Sequence, residues 1–128
     1  MSLTLSQIAV ILVGLLHILF MAGELFPWSN PVIMQSVLKK WPRKLDLSQN
    51  DEHLVAMVVH NAGVYNGIVA AGLFATAWGG VDAFYVQVAL LVGGIVAGLV
   101  GASTLSKLTI VQAILGAIAL GLVFHSRA

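Results

Sequence analysis

Residues 60–67 read HNAGVYNG, and they interrupt a run that is otherwise apolar, with LVAMVV before them and IVAAGL after. Polar groups inside such a run are costly in a bilayer and are functional candidates by default. The imidazole of His60 can ligate a metal, and the amides of Asn61 and Asn66 and the phenol of Tyr65 can orient a polar group on a substrate. At about 100° per residue, His60, Gly63, Asn66 and Gly67 fall within roughly a third of a helix circumference, while Asn61 and Tyr65 share a second face. The missing side chains of Gly63 and Gly67 leave a flat floor, with His60 at one edge and Asn66 at the other. That arrangement suits a planar macrocycle lying against the helix, such as haem held by His60 as its single axial ligand. Packing explains the same glycines equally well, because Gly-x-x-x-Gly is a common helix-association signal and Gly94-x-x-x-Gly98 supplies a matching pair further on.

A second set of polar residues lies nearer the N-terminus, in HILFMAGELFPW at 17–28. His17 and Glu24 are seven apart and therefore share a helix face, together with Gly14 and Met21. Glu24 falls near the helix end beside Pro27 and Trp28, where water could solvate it. His17 lies deeper, either facing a cofactor or hydrogen-bonded as a neutral imidazole to a neighbouring helix. These histidines and Glu24 lack the short spacings of zinc motifs. The chain has no cysteine, no nucleophile elbow and no phosphate loop. Ser103-x-x-x-Lys107 reads as a turn with a positive anchor, Gln112 as an interhelical hydrogen bond, and His53 and His125 as solvated residues near segment ends.

The elements that must position these residues follow from composition. Of 128 residues, 59% are hydrophobic and only 9% charged, and the mean hydropathy is +1.00. A soluble domain carries about 25% charged residues, so the bilayer is the expected solvent. A net charge of +1 gives no sign of nucleic-acid binding. The N-terminus has no positive leader and no small-residue cleavage site, so the first apolar run is expected to be a retained helix. Four segments reach the roughly 20 residues needed to span, at about 5–26, 52–78, 83–102 and 107–125. Trp28 and Trp78 fall at segment ends, where an aromatic belt is expected. Gly79-Gly80 and Ser103 to Lys107 mark two tight turns.

In the long first connection, Asn30 reads as an N-cap, Pro31 as the first helical position, and Ile33, Met34, Val37, Leu38 and Trp41 as an apolar stripe. This predicts a short helix lying on the membrane. Ser48 and Asp51 read as a capping box opening the second span. Lys39, Lys40, Arg43, Lys44 and Lys107 lie in the first and third connections, so the positive-inside rule puts those connections in the cytoplasm. The prediction is an all-α integral membrane four-helix bundle, one domain over residues 1–128.

HILFMAGELFPW (17–28), HNAGVYNGIVAAGL (60–73) and GASTLSKLTIVQAILG (101–116) resemble the signature stretches of a small bacterial family catalogued as domain of unknown function 1304. That resemblance implies a four-helix membrane fold and carries no activity. A fainter one is to styrene oxide isomerases: His17 with Gly23-Glu24, and His60 with Asn66-Gly67, are similar to their first- and second-helix signatures. It implies haem b on His60, Asn66 as a substrate-orienting donor, a lipophilic epoxide as substrate, and a trimer. The isomerases also have a third-helix tyrosine; here only Tyr85, near the start of that span, and Tyr65, on the second, are near candidates. Two function classes are therefore expected. One is a haem-dependent isomerase in which ferric iron acts as a Lewis acid, with His60, Gly63, Gly67 and His17 around the cofactor and Asn66, Tyr65 and Asn61 around the substrate. The other is a non-enzymatic membrane protein, a solute-permeation unit or assembly partner, whose buried polar residues join helices. A homo-oligomer is expected on either.

Overall fold

The computed structural model describes residues 2–27, 30, 32, 36, 48–104 and 106–127, without the side chains of Gln49 and Val81. Four α-helices account for most of them: α1 Leu5–Leu25, α2 Gln49–Ala77, α3 Phe84–Thr104 and α4 Ile110–His125. Single 3-10 turns, Val81–Ala83 and Lys107–Thr109, lead into α3 and α4. There is no strand among the described residues, and the fold is an all-α four-helix bundle. A helix rises about 1.5 Å per residue, so about 20 residues match the roughly 30 Å hydrocarbon core. All four segments are long and apolar enough to cross a membrane, the fourth with its leading turn, Lys107–His125. The protein is thus of multi-pass membrane type.

Local chemistry sets the helix ends. Ser48 and Asp51 form the predicted capping box: the Asp51 amide donates to Ser48 Oγ at 3.3 Å, and the Ser48 amide donates back to Asp51 Oδ2 at 3.1 Å. This starts α2 at Gln49, ahead of the expected residue 52. Thr4 and Gln7 cap α1 in the same reciprocal way, at 3.2 and 2.9 Å, a box the sequence reading passed over. α3 ends where the Ser106 amide donates to Gly101 O at 3.0 Å, and the Ser106 side chain then caps the turn into α4 by accepting from the Leu108 amide. The interfacial helix expected after Asn30, the lysine and arginine cluster at 39–44 and Trp28 lie outside the described residues, apart from Val32 and Ser36. Asn30 Oδ1 does accept from the Val32 amide at 3.0 Å, as an N-cap would.

By its internal contacts the chain forms two compact units, residues 1–17 with 68–128, and residues 18–67. The first holds an apolar core of Val10, Val13, Leu73, Ala77, Leu91, Ala119 and Val123. Between α3 and α4 the contact is made by small residues. A Cβ on Gly98 would stand 2.6 Å from the Ala113 amide nitrogen, and one on Gly116 would stand 2.9 Å from Ile95 Cγ1. Lipid tails are as apolar as leucine, so close van der Waals approach of this kind, rather than apolar burial, joins helices in a bilayer. Thr109 adds a hydrogen bond from Oγ1 to Gly98 O at 3.2 Å. In the second unit the ends of α1 and α2 meet, and that is where the polar residues of α2 stand.

Candidate functional site

Within residues 18–67, the asparagine expected to face a substrate instead faces α1. Asn66 Nδ2 donates to Glu24 Oε2 at 2.7 Å, a short bond strengthened by the carboxylate. The glycines beside it receive the same helix. A Cβ on Gly63 would stand 3.0 Å from Leu25 Cγ and 3.2 Å from Glu24 Cβ, and one on Gly67 would stand 2.8 Å from Met21 Sδ. The flat floor of α2 is therefore filled by Met21, Glu24 and Leu25. A macrocycle on that floor would have to displace all three, so as packed these residues do not fit haem there.

His60, at the edge of this face, is half-buried. Asn61 and Tyr65 point elsewhere, as their spacing predicted. Tyr65 is 60% exposed, and Met57 and Val64, on the same stripe, are each 51% exposed. Asn61 is exposed with them and makes no side-chain hydrogen bond among the described residues. Asn61 and Tyr65 are thus not brought together with Asn66, Gly63 and Gly67.

A second polar layer lies in the other unit. His17 is 2% exposed and its Nε2 is sealed from solvent. A Cβ on Gly94 would stand 3.3 Å from that atom and 3.9 Å from Gln112 Nε2, so His17, Gly94 and Gln112 meet across α1, α3 and α4. Gly94 makes room for an imidazole, while Gly98 makes room for the α4 backbone.

Sequence reading missed Gln7, Thr76 and Gln87. The amide of Gln87 donates to Thr76 O, and that of Gln7 to Ala77 O, both at 3.2 Å. Those carbonyls end α2 and have no partner inside the helix. A signal was available, since each glutamine stands within about one turn of a predicted span end. Tyr85 is 77% exposed and sends no phenol inward from α3. Among the described residues, no three of His, Asp and Glu gather closely enough to hold a metal ion.

A family model matches residues 11–124. The chain belongs to the DUF1304 family, described as proteins of unknown function. The DUF1304 match takes in His17, Glu24, the whole 60–67 string and Gln112, and leaves out Thr4, Gln7 and Arg127. Neither a curated protein nor a solved structure matches the chain. The likeness to styrene oxide isomerases therefore rests on the sequence pattern alone.

Proposed function

We propose that this DUF1304 protein is a non-enzymatic assembly unit of the bacterial inner membrane. Its buried polar residues tie helices within the chain, and its outward polar stripe on α2 ties copies of the chain together. The observation that carries this reading is Asn61, exposed near the middle of the Asn50–Ala77 span with Tyr65 one turn on. A carboxamide in hydrocarbon has no water to bond, and leaving it unmet costs free energy. It both donates and accepts, so the Asn61 of another copy is its own complement. Interhelical bonds of this kind contribute on the order of 1 kcal/mol each. The copy number implied by the isomerase resemblance is three. Light scattering in detergent tests the reading: wild type should be oligomeric, and Asn61→Leu should shift towards monomer. A monomeric wild type, or an Asn61→Leu oligomer of unchanged size and stability, counts against it.

A second reading keeps a lipophilic ligand, haem included, against the half-buried His60 beside the exposed Asn61 and Tyr65. A ligand would cover those polar groups as a second copy would. It predicts a Soret band in protein purified after growth with added haem, lost in His60→Ala, and turnover of aryl epoxides to aldehydes. Colourless wild type ends the haem reading.

A further inference from the structure

Within the unit of residues 1–17 and 68–128 there is a polar cavity of about 220 Å³, lined among others by Thr4, Ser6, Thr76, Gln87, Ser126 and Arg127. It lies at the ends of α1, α2 and α4, at the level where a spanning helix gives way to headgroups. Ligand sites for drug-sized molecules run from about 300 Å³ upwards, so this one suits a small polar group. Among the described residues its lining includes one cation and no carboxylate.

That cation is held in place. Arg127 Nη2 donates to Gly80 O at 2.8 Å, and the guanidinium carbon lies 5.1 Å from the centroid of the Phe84 ring. Phe84 is itself braced edge-on by Phe124, with centroids 5.4 Å apart. A guanidinium carries five N–H donors in a rigid fork. The bond to Gly80 uses one, and the fork is left aligned beside the cavity. Across the cavity, Thr4 and Ser6 open α1, their hydroxyls 3.0 Å apart. Both serve the cap of that helix: the Thr4 amide and Oγ1 donate to Gln7 Oε1 at 2.9 and 3.2 Å, and the Gln7 amide donates back to Thr4 Oγ1 at 3.2 Å. Most other hydroxyls are already spent: Thr76 Oγ1 donates to Gly72 O and Ser126 Oγ to Val123 O, each at 2.9 Å. The donors left over beside the cavity are those of the fixed Arg127 guanidinium.

We propose that this cavity binds a phosphate oxyanion, the chemistry shared by an anionic lipid headgroup and free phosphate, with Arg127 as its anchor. The proposal does not depend on how copies of the chain assemble. Detergent-purified full-length protein is titrated by calorimetry with inorganic phosphate and, separately, with short-chain phosphatidylglycerol. Saturable binding of at least one is expected, weakened about tenfold or more by Arg127→Gln, as loss of a charge-assisted hydrogen-bond pair implies. Binding of both probes identifies a general phosphate site, and binding of the lipid alone identifies a headgroup site. Absence of saturable binding for both, or equal affinity in Arg127→Gln, overturns the proposal. Arg127 is exposed, so the variant should fold. If it does not, wild type is treated with phenylglyoxal and Arg127 modification is read by peptide mass. Protection by either probe supports the site, and equal modification with and without them overturns it.

Discussion

The Asn66–Glu24 hydrogen bond shows how a single intramembrane polar residue is used here. A carboxamide and a carboxylate that would each be costly in hydrocarbon satisfy one another at 2.7 Å. Interhelical bonds in membranes average about 0.6 kcal/mol and reach about 1.7 by double-mutant cycles. Asn66→Ala should therefore lower the midpoint of thermal unfolding in detergent, by roughly 1 kcal/mol of stability. Glu24→Ala should do the same, and the double variant should lose little more than either alone. Additive losses would show that the two side chains act separately. Both residues were visible in the sequence as intramembrane polar groups, and so was the inward stripe of Gly14, His17, Met21 and Glu24. Their pairing was not, because helical periodicity gives the face of a residue and not the identity of the facing helix. The same limit hid the surroundings of His17, whose Nε2 lies against Gly94.

Among the elements, glycine decides which helices come close. Gly98 and Gly93 sit five apart on α3 in similar sequence surroundings, yet only Gly98 meets the backbone of α4. A Cβ at Gly98 would press on the Ala113 amide at 2.6 Å and Thr109 O at 2.9 Å. Backbone cannot swing aside, so Gly98→Ala should destabilise by about 1–3 kcal/mol. A Cβ on Gly93 meets nothing within 4 Å. Gly93→Ala should be neutral or gain up to about 1 kcal/mol from helix propensity. Unfolding curves for the two variants side by side check this, and equal losses would contradict the packing described. The helices themselves were legible from hydropathy and length, with ends shifted by two or three residues where caps intervened, as at Ser48. The buried glutamines were not, since amides inside a span read alike whether they cap a neighbour or line a site.

At the scale of the whole molecule, α2 carries two polar faces with different uses. One, Gly63, Asn66 and Gly67, is filled by α1. The other, Met57, Asn61, Val64 and Tyr65, is turned outward. Apolar exposure alone is what lipid requires, but Asn61 near mid-span requires a partner. On the proposed function this partner is another copy of the chain. The protein has no cysteine, so single cysteines can be introduced without background. Val64→Cys and, as a control on a different exposed surface, Ile118→Cys are oxidised in native membranes and run on a non-reducing gel. A covalent dimer is expected for Val64→Cys, abolished when Asn61→Leu is added, and none for Ile118→Cys. Failure of Val64→Cys to cross-link, or cross-linking of both positions to the same extent, would contradict it.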